Sequence, residues 1–363
     1  MVNTSLTSQP KTENRKVFEG EPSLRRPSSF ALLQVGRGLA AILVVLFHTT
    51  AIFSLPKYWN SDPLGSIFLP GSSGVYFFFV LSGFIIFHAH SKDIGKPEKF
   101  FRYVGNRITR VYPMYWLVAL ISLFASIVLY KEQFDSLFLI GNFTLIPILG
   151  DKGNLAVAWS LFHEVVFYFL FSTLLINFVF GCAVLSAWAA GCLLSVFFDV
   201  PNDFLNVVFA PINLLFFLGL ISYSAPKSGK LPVAMASGVL GISIFFTMWI
   251  FDIESVSDTV SSVVIAGFGV SSALIIWSAV CIENQVSIRV PRLFIVLGDA
   301  SYSIYLIHFL ALSLYAKILF RIDGEDFQFV FFISLAVLAT VSGVLAHFLV
   351  ERPMTRYIRT YYR

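Results

Sequence analysis

Ten long apolar stretches dominate this sequence and decide what it can fold into. A helix that crosses the hydrocarbon core of a bilayer needs about 20 mostly apolar residues. Stretches of about that length lie at about 31–53, 67–89, 110–130, 155–179, 181–198, 204–223, 231–251, 259–282, 293–319 and 328–350. Only 13% of the 363 residues are charged, against about 25% in soluble domains, so a soluble protein is nearly excluded. The sequence predicts an all-α integral membrane protein with about ten transmembrane helices.

The distribution of basic residues predicts which side of the membrane each loop faces. When the loops are assigned alternately to two sides, 20 of the 25 lysines and arginines fall on one side. Basic loops stay in the cytoplasm during insertion, and an even number of crossings returns the chain to its starting side. We therefore predict that both termini are cytoplasmic. Residues 1–30 are predicted to be a disordered tail, 31–356 the transmembrane domain and 357–363 a basic tail. The basic residues reflect this topology, and no nucleic-acid partner is expected.

Ionisable residues inside the apolar stretches are few, and Arg37 and His48 share the first stretch. Such residues are expensive in hydrocarbon unless they face a cavity or a partner, which makes each a functional candidate. His48 follows Arg37 by eleven positions, which returns the two to within about 20° on one helix face, about 16 Å apart along the axis. Arg37 suits a phosphate or carboxylate arriving from the cytoplasm, and His48 suits proton transfer near mid-bilayer. Alternatively, Arg37 only anchors the topology.

A second polar group opens the fourth stretch around Glu164. Ser160, Glu164 and Tyr168 recur every four residues, which places them on one helix stripe. Trp159 and His163 share a neighbouring face by the same spacing. A buried carboxylate needs a donor or a cation, so Glu164 is either functional or one half of a structural salt bridge between helices.

Two arginines precede the third stretch. Arg107 and Arg110 stand three residues apart on one helix face, which makes a fork suited to a polyphosphate. The alternative is a basic flank that only sets topology.

The ninth stretch carries a third polar stripe. Tyr305 and His308 lie on one face there. His308 either helps to line the cavity that holds His48, or packs against Tyr305 or a backbone carbonyl. No cluster of His, Cys or carboxylates in the sequence has convincing metal-ligand spacing, so no metal site is predicted.

Taken together, these segments resemble the acyltransferase-3 family of integral membrane O-acyltransferases over about residues 31–356. The resemblance rests on five segments in order, which are Arg37 with His48, 74–84, 107–113, 159–168 and 301–308. The adjacent His163 and Glu164, with the segment 93–97, are most similar to the branch that acetylates bacterial exopolysaccharides. Tyr76 departs from the pattern, since many members have an acidic residue there.

The resemblance implies an enzyme of the bacterial inner membrane. It would move an acyl group, acetyl above all, from cytoplasmic acyl-CoA to a hydroxyl of an exported carbohydrate or lipid-linked glycan. Acyl-CoA would be a substrate, and no permanently bound cofactor is expected. The residue assignments that follow are acyl-CoA binding by Arg37, Arg107 and Arg110, catalysis by His48 and Glu164, and cavity lining by Trp159, Ser160, Tyr305 and His308.

Within that mechanism, His48 would act as general base on the acceptor hydroxyl. Glu164 would orient His48 or complete the acceptor site, and an acyl-histidine intermediate is the alternative.

Two other classes of function compete with the enzyme. One is a proton-coupled transporter that uses His48 and Glu164 as a relay, although the paired broken spans of transporter halves are not visible in the sequence. The other is a scaffold protein with a structural polar network.

Overall fold

The residues that the computed structural model describes form helices joined by loops. These residues are 30–150, 153–225, 230–254, 262–322 and 327–361, and they contain no strand. The helices are α1 (Ala31–Phe53), α2 (Ser73–His90), α3 (Phe100–Tyr130), α4 (Ser136–Thr144), α5 (Trp159–Ile176), α6 (Phe178–Leu194), α7 (Asp203–Val208), α8 (Leu214–Ser224), α9 (Leu231–Glu254), α10 (Ser262–Glu283), α11 (Arg292–Leu319), α12 (Gln328–Ala346) and α13 (Arg352–Tyr361). Apart from Phe30, the predicted disordered tail at 1–30 lies outside the described residues.

The prediction of an all-α membrane protein is confirmed. Within the described residues, nine helical segments are long and apolar enough to cross a membrane. They run over Ala31–Phe53, Gly65–Asp93, Pro97–Leu129, Trp159–Ile176, Asp203–Ser224, Leu231–Ile253, Ser262–Glu283, Arg292–Leu319 and Gln328–Thr360. The remaining predicted stretch, 181–198, corresponds to α6. This helix is apolar and 17 residues long, which is the short end of the range of roughly 17–25 residues that can cross a bilayer.

Helix α4 enters the bundle part of the way. The Tyr115 hydroxyl donates to the carbonyl oxygen of Asn142 at 2.6 Å, and the Trp116 indole donates to that of Phe143 at 2.8 Å. Both donors lie at the middle of α3, so the C-terminal end of α4 reaches the same depth. The apolar segment 137–149 has the length of either a re-entrant or an interfacial helix, and these contacts favour the re-entrant position.

Two glycines let α2 and α8 cross at close range. A Cβ atom at Gly83 would lie 2.1 Å from the carbonyl oxygen of Phe216, and one at Gly219 would lie 2.0 Å from that of Val80. Lipid gives membrane helices no hydrophobic reason to associate, so close backbone packing at small residues holds them together. The crossing therefore fixes the position of α2, which carries Ser82 beside Gly83.

We expect Gly219→Ala to destabilise the bundle by about 1–3 kcal/mol, because the added methyl group meets backbone rather than a movable side chain. Thermal unfolding of the purified protein in detergent measures this loss. Gly105→Ala is the matched control, since a Cβ atom at Gly105 would meet nothing within 4 Å. Equal melting temperatures for the two variants would contradict the close crossing.

Candidate functional site

A cavity of about 1480 Å³ extends inward from the end of the bundle where α1 and α3 begin. Its volume exceeds the range of roughly 300–1,000 Å³ typical of small-molecule pockets. Among the described residues, six arginines and two carboxylates line it. These charged residues are Arg37, Arg102, Arg107, Arg110, Arg352, Arg359, Glu164 and Asp299. The surplus of positive charge suits a polyanionic ligand.

Arg37 lies in the cavity wall near a close crossing of α1 and α11. A Cβ atom at Gly298 would lie 2.3 Å from the carbonyl oxygen of Gln34, so only glycine permits this approach. The Arg37 guanidinium donates to the Gln34 side-chain oxygen at 3.2 Å. Since arginine carries five N–H donors, this bond occupies one of them.

Arg110 is held by a carboxylate that the sequence analysis did not select. Its guanidinium donates to Glu351 Oε1 at 3.1 Å. The other oxygen, Oε2, accepts from the Ser303 hydroxyl at 2.6 Å and lies 2.8 Å from His347 Nδ1. Glu351 is only 3% exposed and ends a π-helical turn, His347–Glu351, a distortion frequent at functional sites. The fully bonded carboxylate therefore fixes the direction of Arg110.

Arg107 lies against two tyrosine rings and has a donor to spare. Its guanidinium carbon is 5.8 Å from the ring centre of Tyr103 and 5.6 Å from that of Tyr168. The Arg107 Nε is buried and has no hydrogen-bond partner among the residues that the structure describes. Leaving a buried donor unpaired costs roughly 1–3 kcal/mol. A ligand that supplies a hydrogen-bond acceptor to this Nε would remove that cost.

Glu164 faces the same cavity and is bonded to two hydroxyl groups. Ser82 donates to its Oε1 at 3.0 Å, and Tyr168 donates to the same oxygen. The hydrogen bonds of His48 go elsewhere, to Val44 and His308. The described residues therefore show no hydrogen bond between Glu164 and His48.

His48 lies beyond the cavity wall, against His308. Its Nδ1 is 3.1 Å from His308 Nε2 and 3.0 Å from the carbonyl oxygen of Val44. His308 is fully buried, and its own Nδ1 is 3.0 Å from the carbonyl oxygen of Ile304. The ring of Tyr305, which does line the cavity, stands 5.9 Å from the His308 ring between their centres.

Ser160 and Tyr305 close the inner end of the cavity. Their hydroxyl oxygens are 2.8 Å apart, and the Tyr305 hydroxyl donates to the carbonyl oxygen of Val157 at 2.9 Å. The predicted cavity-lining residues Trp159 and His308 are not in the wall. His308 is behind Tyr305, and the Trp159 ring packs 5.9 Å from that of His163 between ring centres.

The structure therefore divides the nine predicted site residues into two groups. The cavity wall contains Arg37, Arg107, Arg110, Ser160, Glu164 and Tyr305, while His48, His308 and Trp159 lie beyond it. Sequence reasoning missed Glu351 and Ser82. A carboxylate directly after the apolar stretch 328–350 was the available signal for Glu351, and Ser82 is the hydroxyl residue beside Gly83 in the segment 74–84.

Residues 30–351 match the family described as an acyltransferase domain, which confirms the resemblance found in the sequence. Exopolysaccharide production protein ExoZ of Rhizobium meliloti (strain 1021) is 28% identical over 310 residues, covering 82% of this chain and 93% of that protein. Protein 2 in picA locus of Rhizobium radiobacter is 30% identical over 164 residues, covering 39% of this chain and 79% of that protein. No solved structure matches the chain.

A double-mutant cycle of Arg110→Gln and Glu351→Gln tests the ion pair. Because the Arg110 side chain is 37% exposed and that of Glu351 only 5%, we expect a coupling free energy of unfolding of about 1–2 kcal/mol. This is below the roughly 3–5 kcal/mol lost when a fully buried pair is broken. Arg356→Gln combined with Glu351→Gln is the control, expected to be additive. Additivity in the Arg110 cycle as well would contradict the pair.

Proposed function

The chain belongs to the family of acyltransferase domains, and on that premise we propose that it transfers an acyl group, acetyl above all, from acyl-CoA to a hydroxyl of an exported carbohydrate. The observation that carries the choice of donor is the arginine-rich cavity with the unpaired Nε of Arg107. Coenzyme A is a polyanion, and guanidinium groups bind phosphate through paired, charge-assisted hydrogen bonds. Arg37, Arg107 and Arg110 are the residues proposed to hold these phosphates.

The mouth of the cavity is proposed to face the cytoplasm of a bacterium, from which acyl-CoA would enter. Support comes from the 20 basic residues of the 25 that gather on one side of the predicted topology. Arg102, Arg352 and Arg359 belong to that set and also line the cavity. The membrane would then be the inner membrane, with both termini of the chain in the cytoplasm.

An exopolysaccharide, or the lipid-linked glycan from which it is built, is the acceptor that we propose. The name of the relative ExoZ, an exopolysaccharide production protein, supports this class, and the comparison covers 93% of that relative. Glu164 is proposed to bind the acceptor. Both of its hydrogen bonds end on Oε1, so Oε2 is left to accept from a sugar hydroxyl.

In the proposed reaction, His48 removes the proton from the acceptor hydroxyl. The oxygen attacks the thioester carbonyl carbon, a C–O bond forms, and the C–S bond breaks. The proton then passes from His48 to the departing thiolate of coenzyme A. Because Tyr305 separates the inner end of the cavity from the two histidines, the reaction also requires Tyr305 to leave its hydrogen bonds with Ser160 and Val157 during turnover.

Transfer of radiolabelled acetyl groups tests the function directly. We expect the purified protein in sealed vesicles to move label from acetyl-CoA to extracted exopolysaccharide or lipid-linked glycan. Label should be incorporated only when acetyl-CoA is on the side of the basic loops, which vesicles of opposite orientation distinguish. Absence of transfer from acetyl-CoA and from longer acyl-CoA donors would contradict the proposal.

Arg107→Gln is expected to raise the KM for acetyl-CoA by about 10- to 100-fold with a smaller change in kcat. The reason is that a charge-assisted hydrogen bond contributes roughly 1.5–3 kcal/mol to binding. Arg356→Gln is the matched control, because Arg356 is a basic residue on the same side of the predicted topology as Arg107 and does not line the cavity. An equal effect of the two variants would argue for general surface charge rather than a phosphate site.

His48→Ala is expected to lower kcat by about 10²- to 10⁴-fold, the usual contribution of a general base, while the KM for acetyl-CoA stays near its wild-type value. Steady-state kinetics in the same vesicles measure both. His90→Ala is the control, since His90 contacts Asp93 and not the cavity. A His48→Ala protein that inserts normally and acetylates at the wild-type rate would rule out both a general-base and an acyl-histidine role.

A further inference from the structure

The backbone holds both histidines of the His48–His308 pair in one tautomer. In each, Nδ1 lies 3.0 Å from the carbonyl oxygen four residues earlier, that of Val44 for His48 and that of Ile304 for His308. A carbonyl oxygen can only accept hydrogen bonds. Each Nδ1 therefore carries the proton, and in each neutral ring Nε2 is the nitrogen with a free lone pair.

This assignment gives the contact between the two rings a direction. His308 Nε2, which has no proton, lies 3.1 Å from His48 Nδ1, which has one. His48 therefore donates, and its Nδ1–H is shared between His308 and the Val44 carbonyl. The opposite direction would remove the proton from His48 Nδ1 and leave that nitrogen facing the Val44 carbonyl without a hydrogen to donate. His48 Nε2 is thus the basic nitrogen of the pair.

We propose that His308 is a positioning residue for His48. Its Nε2 accepts the Nδ1–H of His48, fixes the orientation of the ring and stabilises the positive charge that forms when His48 Nε2 takes a proton. This inference rests on the proposed function, in which that proton comes from the acceptor hydroxyl. The arrangement follows the general pattern in which a third group orients the base, here with a neutral imidazole in place of a carboxylate.

The location of His308 separates this role from substrate binding. His308 is fully buried and does not line the cavity, so it makes no contact with a ligand held there. When the pair takes up one proton, a second is opposed, because the two imidazolium rings would repel each other with their facing nitrogens 3.1 Å apart. His308 is therefore expected to affect kcat and not the KM for the donor.

Two variants of similar polarity test whether His308 Nε2 is the hydrogen-bond acceptor for His48. In His308→Gln the side-chain oxygen comes near the position of Nε2, whereas in His308→Asn the shorter side chain reaches only the position of Nδ1. We expect His308→Asn to lower kcat by about 10- to 100-fold with an unchanged KM for acetyl-CoA. His308→Gln should recover at least about tenfold of that loss. Equal kcat values for the two variants, or a loss that appears in KM alone, would overturn the positioning role.

A measurement without substrate tests the same inference independently of activity. In ¹⁵N NMR spectra of protein labelled at histidine, His48 is expected to show a protonated Nδ1 and an unprotonated Nε2 in the wild type and in His308→Gln. Its Nδ1 resonance should move in His308→Asn. An Nε2-protonated His48 in the wild type would overturn the inference even if neither variant could be purified.

The outcomes also separate this inference from the function on which it rests. Loss of transfer in His48→Ala together with wild-type kinetics in His308→Asn would overturn the role of His308 alone. Wild-type transfer in His48→Ala would remove the proposed general base, and the tautomer would then be decided by the spectra.

Discussion

The buried Glu351 carboxylate is the group on which the charged cavity depends. Its partners come from three parts of the chain, Arg110 from α3, Ser303 from α11 and His347 from the π-helical turn. An unpaired arginine inside a membrane-spanning bundle is costly. Glu351 neutralises the charge of Arg110 and joins three segments of the chain. The other arginines of the cavity wall keep their positive charge for a ligand.

At the other end of the cavity, the re-entrant course of α4 determines where α5 begins. In a bilayer, irregular backbone is tolerated only where protein groups satisfy its hydrogen bonds, and the side chains of Tyr115 and Trp116 do so for α4. The chain then returns to begin α5 inside the bundle. This start places Ser160 opposite Tyr305 at the middle of α11, which closes the cavity short of the two histidines.

Sequence alone predicts those features that depend on local spacing. Hydropathy finds the helices, although α3 begins at Phe100 and not near 110, because a helix continues past the membrane into basic residues that hydropathy excludes. Spacing of four places Ser160 and Glu164 on one face, and both line the cavity. The pairing of Arg110 with Glu351 joins residues 241 positions apart and depends on which helices are neighbours. No periodicity within one stretch contains that information.

The separation between the cavity and His48 has a physical rationale under the proposed function. A donor that enters from the cytoplasm and an acceptor destined for export must meet without opening a continuous path across the membrane. Tyr305, bonded to Ser160 and Val157, closes the cavity on one side, and the paired imidazoles lie on the other. Exclusion of water from a reactive thioester also prevents its hydrolysis. Under the proposed function, Tyr305 has to leave these hydrogen bonds before His48 can reach an acceptor hydroxyl in the cavity, so the closed position of this one side chain keeps the base away from the thioester until transfer.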